Sequence, residues 1–252
     1  MTGSDQSVRT LAAAAPTTAL FLCETIEELN QGAGFLDRLT RADRQRIRAL
    51  GRPLSVQAGG VVFAQGAPHD GIFLIDEGRI RVYYTAPSGR EVTLAYWPQG
   101  HFIGGPEIIG GTHVWSGEAV EDSLLTVLPA SRLQMLLTQM PNFALCLIEG
   151  LIAKGKCYSA MAQMLGTRSG IERLAQFLVN LGALRGAPAG TAVLIERTLT
   201  HDQIAAMVGS TRQWVTMMLK RFEKSGIISV DRRSIRIDRP DLLHQMLSNG
   251  AG

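Results

Sequence analysis

The sequence predicts an α+β chain: an N-terminal antiparallel β-roll, one long helix, and a C-terminal helical domain closed by a β-hairpin. Three observations carry this. Between Leu54 and Leu128, short β-rich runs alternate with glycines about ten residues apart. After Pro129 the apolar residues switch to helical spacing. Beyond Thr200, two short helical patterns flank Gly209-Ser210. The boundaries that follow are an N-terminal extension over 1–33, a roll domain over 34–140, a long helix over 141–168 and a C-terminal domain over 169–252.

Composition agrees. The 252 residues are 46% hydrophobic and 19% charged, which excludes a disordered or collagen-like chain and suits two domains, each with its own core. No run of apolar residues is long enough for a transmembrane helix. The stretch Leu11 to Cys23 contains Pro16 and two threonines and reads as an extension rather than a signal peptide. The three cysteines, Cys23, Cys146 and Cys157, form neither a zinc pair nor a disulfide framework, so a reducing cytoplasm is expected.

The elements follow in order. A short helix is expected around Glu24–Leu29. A second runs Phe35 to Leu50, with Leu36, Leu39, Ile47 and Leu50 apolar, and stops at Pro53. The roll then needs strands at Val61–Phe63, Ile72–Ile75, Ile80–Tyr84, Glu91–Tyr96 and Leu124–Leu128, with turn glycines at Gly59, Gly66, Gly78, Gly89 and Gly100. Glu118, Glu121 and Asp122 read as surface charge on the approach to the last strand.

Ser131 to Gln139 is a short helix, and Phe143 to about Gly166 a long one. In the long helix Ala144, Ile148, Leu151, Gly155, Tyr158, Ala162 and Leu165 recur at alternating spacings of four and three. Such a row is a seam for a second helix, and a twin subunit is the expected occupant. Ile171 to Leu181 is a further helix, residues 186–190 a loop, and Val193–Ile195 a short strand.

The C-terminal domain carries the chemistry. Thr200 and Gln203 form a capping box, Gly209-Ser210 breaks the helix it starts, and a second helix begins near Thr211 and ends at Gly226. This is a helix-turn-helix. Ile227–Val230 and Ser234–Ile237 then make a hairpin wing with Arg232 and Arg233 at its tip. Residues 191–252 hold nine Lys+Arg against six Asp+Glu, while the first 190 residues balance at sixteen of each. The whole net charge of +3 therefore lies in the domain expected to meet phosphate.

Inserted into a major groove, the second helix presents Arg212 to guanine, Gln213 to adenine and Thr216 to a base edge or thymine methyl. Thr211 at the helix start suits a phosphate. Trp214, Val215, Met218 and Phe222 hold the helix to its domain. No GxSxG, HExxH, P-loop or Rossmann fingerprint is present, and no enzyme is expected.

With these motifs the chain resembles the cyclic-AMP receptor protein/FNR superfamily of bacterial transcription regulators. The most specific stretch is Leu199 to Gly209 followed by Thr211-Arg212-Gln213. In the roll, Ala58-Gly59, Gln65-Gly66, Gly78 and Gln99-Gly100-His101-Phe102-Ile103-Gly104 fit as well. The resemblance implies a homodimer that takes a small effector in its roll, reads an inverted repeat in double-stranded DNA, and contacts RNA polymerase. Met217 falls where the cyclic-AMP receptor protein has a second base-reading arginine, so the operator should differ there.

By the same resemblance, the effector pocket involves Gly104, Gly105, Ile109, Trp115, Ser116, Tyr158 and Ser159. Gly105 replaces the family's ribose-binding glutamate and Trp115 its phosphate-binding arginine. Without that counter-charge a buried phosphate is left uncompensated, so cyclic AMP is not expected. Trp115 adds an aromatic face, and an apolar or aromatic effector is expected. No metal site or cofactor is assigned. The alternatives left open are a haem sensor, with His69, His101, His113 and Cys23 as candidate ligands, a redox sensor of the same fold, and a ligand-binding module without DNA. Cys146 and Cys157 lie about 16 Å apart along one helix, so only a cross-subunit disulfide would be open to them.

Overall fold

The computed structural model describes residues 39–69, 71–104, 111–196 and 199–248, apart from the side chains at 184 and 185. The expected N-terminal extension, the helix at Glu24–Leu29, and Gly105 and Ile109 lie outside the described residues.

Helix α1 spans Arg41–Leu50, with Thr40 as its cap: the Thr40 hydroxyl accepts from the Asp43 amide at 3.1 Å. Its stop is Gly51, not Pro53. A β-carbon at Gly51 would stand 2.8 Å from the Val127 carbonyl oxygen, so only glycine passes between helix and sheet. Pro53 instead lies in a strand that the sequence hides, β1 (Arg52–Val56), opposite Thr126. As an edge strand, β1 tolerates a residue without an N–H.

The roll continues with β2 (Val61–Phe63), β3 (Gly71–Glu77), β4 (Arg79–Thr85), β5 (Glu91–Pro98), β6 (Phe102–Ile103), β7 (Ser116–Ala119) and β8 (Ser123–Pro129). Two four-stranded antiparallel sheets result, in the orders β1-β8-β3-β6 and β2-β7-β4-β5. The run Ile72-Phe73-Leu74-Ile75 is apolar throughout because β3 is buried on both faces. Phe73 and Ile75 point into the roll with Ile80, Val82, Trp97 and Ile103. Ile72 and Leu74 point outward to Ile47, Leu133, Leu136 and Phe143. The second group places α1, helix α2 (Ala130–Gln139) and the start of α3 (Pro141–Thr167) on the back of the first sheet.

Helix α3 has 27 residues and two apolar faces. Phe143, Cys146, Leu147, Cys157, Met161 and Met164 are buried within the protomer. Gly150 belongs to that face, where a β-carbon would strike the Phe102 ring at 2.5 Å. On the other side Leu145, Ile148 and Ile152 are 58%, 52% and 53% exposed, and Gly155, Ser159 and Ala162 continue the row. The exposed row is therefore turned from the expected seam. Ile148, Gly155 and Ala162 belong to it, whereas Leu151, Tyr158 and Leu165 are half-buried against their own protomer. A spacing template selects residues at the edge of both faces when a helix is apolar on two sides. Cys146 and Cys157 are both buried on the inward face, away from the exposed row, so the one pairing left open to them, a cross-subunit disulfide across that row, is closed.

The C-terminal domain comprises α4 (Gly170–Arg185), β9 (Gly186–Ala189), β10 (Ala192–Glu196), α5 (His201–Val208), α6 (Arg212–Lys224), β11 (Ile228–Val230), β12 (Ser234–Ile237) and α7 (Pro240–Ser248). Residues 186–189, expected as loop, pair with β10 instead, as the outer strand of the sheet β11-β12-β10-β9. Such an edge again admits a proline, Pro188.

The helix-turn-helix is built as its sequence predicts. Thr200 accepts from the Gln203 amide at 3.2 Å, and Gln203 Oε1 accepts from the Thr200 amide at 2.8 Å. Gly209 ends α5 at φ 63°, in the left-handed region that glycine enters without cost. Val215, Met218, Leu219 and Phe222 bury one face of α6, and Trp214 packs on Gly170 at the start of α4. Helix α5 also touches β5, so the helix-turn-helix rests directly on the roll. Among the described residues no single helix is long and apolar enough to cross a membrane; α2 and α3 together reach that length and apolarity, but with a 116° bend between them.

Candidate functional site

Two sites emerge. The first is the outward face of α6. Burial of Val215, Met218, Leu219 and Phe222 on one side fixes what the other side offers. Arg212, Gln213, Thr216, Met217, Lys220, Arg221 and Lys224 line one concave surface. The sequence singled out the first four; Lys220, Arg221 and Lys224 were missed. Their signal is the continued three-and-four spacing from Gln213, Thr216 and Met217, which keeps them on one helix face.

At the head of α6, Thr211 accepts from the Trp214 amide at 3.2 Å and keeps its own O–H available as a donor. Arg212 Nη1 lies 3.4 Å from Asp202 Oδ2, with both side chains 65% exposed. At that exposure the pair is weak and the guanidinium is free to exchange it for another partner. The Thr216 hydroxyl donates to the Arg212 carbonyl at 2.9 Å and lies 2.7 Å from His201 Nδ1. With its hydroxyl engaged on both sides, Thr216 has its methyl left to present. Met217 is 55% exposed, an apolar tip in an otherwise polar row.

The wing is ordered by one carboxylate. Asp231 Oδ1 accepts from the Arg233 and Ser234 amides at 2.6 Å each, and Oδ2 from the Ser234 hydroxyl at 2.7 Å. This turn holds Arg232 and Arg233 exposed at the tip of β11–β12.

The second site is a cavity of about 200 Å³ between the roll and α3. Its walls are Val82 on β4, Trp97 on β5, Ile103 and Gly104 at β6, and Trp115 ahead of β7. Leu151, Lys154, Gly155 and Tyr158 on α3 close it. The structure thus brings together three of the residues named from sequence: Gly104, Trp115 and Tyr158. The Trp115 and Tyr158 rings stand 5.8 Å apart, tilted by 54°.

Two other named residues lie elsewhere. Ser116 is buried with its hydroxyl accepting from the Gln65 amide at 3.0 Å, a bond that ties two segments of the roll. Ser159 is exposed in the outer row of α3, where the Gln163 amide donates to it at 3.3 Å.

The residue that sequence reasoning missed is Lys154. Its ammonium nitrogen stands 3.5 Å from the Trp97 ring centroid and 4.6 Å from that of Phe102. Burial lowers its pKa to about 7, against a smaller opposing effect of the neighbouring Cys157 thiol. Burial, with Cys157 adding to it, raises the Tyr158 phenol well beyond its ordinary range. The Trp97 indole N–H acts the other way through a weak approach. It has no hydrogen-bond partner of normal geometry among the described residues.

The histidines considered for haem are placed apart from that cavity. His69 and His113 are buried with their rings 4.6 Å apart, and His113 stacks on Phe63 at 4.4 Å. His101 lies beside Trp97, with ring centroids 5.3 Å apart. Among the described residues no three His, Cys, Asp or Glu side chains converge to hold a metal ion.

Comparison with known proteins identifies the two domains. Residues 172–246 match the Crp-like helix-turn-helix domain, and residues 53–140 the cyclic nucleotide-binding domain. The regulatory protein HlyX of Actinobacillus pleuropneumoniae is 31% identical over 192 residues, covering 76% of this chain and 80% of that protein. The fumarate and nitrate reduction regulatory protein of Escherichia coli K12 is 27% identical over 195 residues, covering 77% and 78%. The crystal structure of TTHA1359 from Thermus thermophilus, a transcriptional regulator of the CRP/FNR family, is 26% identical. It superposes with a TM-score of 0.58 over 78% of this chain and 98% of that one.

Proposed function

The chain belongs to the Crp/Fnr family of transcription regulators, and from that premise we propose a homodimeric regulator that reads an inverted repeat in double-stranded DNA under the control of a small molecule held beside α3. The observation that carries this is the outward face of α6. One helix presents Arg212, Gln213, Thr216 and Met217, with Lys220, Arg221 and Lys224 behind them, on a single concave surface.

Each residue then has a task. Arg212 pairs with guanine and Gln213 with adenine through bidentate hydrogen bonds. Thr216 offers its methyl to a thymine methyl. Met217 makes apolar contact where a cation would have read a further base. Thr211 at the helix start and Arg232 and Arg233 on the wing hold phosphates and set the register.

Pairing of two reading heads comes from the exposed row on α3. Leu145, Ile148, Ile152, Gly155, Ser159 and Ala162 are spaced by three and four, as a coiled-coil seam requires. A second copy of the same helix covers them. Contact with RNA polymerase and action in the cytoplasm follow from the family role. The cavity is the effector site: Trp97 on β5 forms its wall, and β5 also touches α5 of the reading head.

Fluorescence anisotropy with the purified chain tests the reading. Duplexes selected from a random pool should converge on an inverted repeat, and log affinity should fall linearly and steeply with log salt. An affinity indifferent to salt, or a pool that yields no common half-site, overturns it.

A further inference from the structure

The cavity beside α3 is apolar except where it is cationic. Lys154 has no acidic partner among the described residues, and its ammonium is held by the faces of Trp97 and Phe102 alone. A cation–π contact replaces part of a lost hydration shell, but it leaves the three N–H donors of an ammonium without acceptors. Trp97, across the cavity from α3 and 3% exposed, carries a buried donor without a partner of normal geometry among the described residues. Buried donors are ordinarily satisfied, so an unpartnered indole N–H beside an ammonium with no anion marks a place where an acceptor belongs.

Resting on the reading of this cavity as the effector site, we propose that the effector is a small hydrophobic carboxylic acid, its apolar body between Trp115 and Tyr158 and its carboxylate on Lys154. The chemistry argues for one negative charge. A single ammonium neutralises a monoanion. A phosphate dianion would keep an uncompensated charge in an apolar wall, and a neutral ligand would leave the ammonium unpaired. The same cation explains how a roll without the family's phosphate-binding arginine can still select an anion. Burial, which draws the Lys154 pKa down to about 7, makes the partnership conditional: the carboxylate must restore the charge it pairs with.

The test is calorimetry and tryptophan fluorescence on the full chain with phenylacetate, 3-phenylpropionate and 4-phenylbutyrate, each against its alcohol and its amine, and with cyclic AMP. At least one acid should bind about tenfold or more tightly than its alcohol, the amines should not bind, and at pH 8 binding should take up a proton. In Lys154→Met the alcohol should bind at least as well as the acid. Equal affinity for acid and alcohol in the parent chain, a preference that survives in Lys154→Met, or tighter binding of cyclic AMP each overturns the inference while leaving the effector cavity standing. Silence towards every compound overturns both. Acid binding that leaves DNA affinity unchanged supports the inference and overturns the regulatory reading.

Discussion

The Lys154 ammonium nitrogen stands 3.5 Å above the ring of Trp97, a cation placed on an aromatic face inside an apolar wall. Holding the charge in that wall is a net cost to the folded protomer, because desolvation on burial lowers the lysine pKa to about 7. Between there and the ordinary lysine value the unfolded chain holds a proton that the folded chain has released. Stability should therefore rise with pH across that window, by up to about 1.4 kcal/mol per unit, and the penalty is complete below it. Tyr158 is the other titratable side chain lining the cavity, and Cys157 acts on Lys154 from its neighbouring position on α3. Lys154→Met should raise stability by on the order of 2 kcal/mol near pH 6, and the gain should shrink as pH rises towards 10. Urea denaturation at pH 6 and pH 9 measures it, and parallel curves for the two proteins would contradict it.

Arg212 is the most exposed test of base reading. Its contact with Asp202 is long and solvent-exposed, and so costs little to break. Arg212→Ala should weaken specific binding by about 1–3 kcal/mol and relax one position in each half-site. Competition with duplexes substituted singly across the repeat reads both effects. A uniform loss at every position would assign Arg212 to phosphate instead.

Arg232 and Arg233 should behave in the opposite manner. The Asp231 turn presents them at the wing tip, away from the concave face of α6. Replacing either by alanine should weaken binding to all duplexes alike and reduce the slope of log affinity against log salt by about one. A change in sequence preference would place the wing in a groove.

The two faces of α3 separate assembly from folding. Ile152→Asp puts a charge on the exposed row and should convert the dimer to monomers that still unfold cooperatively, as sedimentation and thermal melts would show. Leu147→Asp, on the inward face, should destabilise the protomer itself by several kcal/mol. A dimeric Ile152→Asp variant would move the interface elsewhere.

Much of this was legible in the residues. The capping box of Thr200 and Gln203, the break at Gly209 and the apolar side of α6 rest on local chemistry, and a local pattern suffices to read them. Trp115 and Tyr158 could be paired through the family resemblance although 42 residues lie between them. What escaped notice depended on neighbours. Strand β7 is Ser-Gly-Glu-Ala, a poor strand former that is ordered by β2 and β4 on its two sides. Lys154 carries no local pattern that sets it apart from a solvated lysine. The close approach of Gly150 to Phe102, with the burial of Cys146 and Leu147, brings that stretch of α3 onto the roll and makes the amine part of a cavity wall.

Gly155 belongs to two surfaces at once: it lines the cavity, and it lies in the exposed row of α3, with nothing near the position of a β-carbon. With a second copy seated on that row, the chamber has a wall that exists only in the pair. Loading and self-association then become reciprocal quantities, each tightening the other by one common factor. A titration on dilute protein should give a weaker midpoint than the same titration on concentrated protein, and under the proposed function cellular abundance would then tune the response.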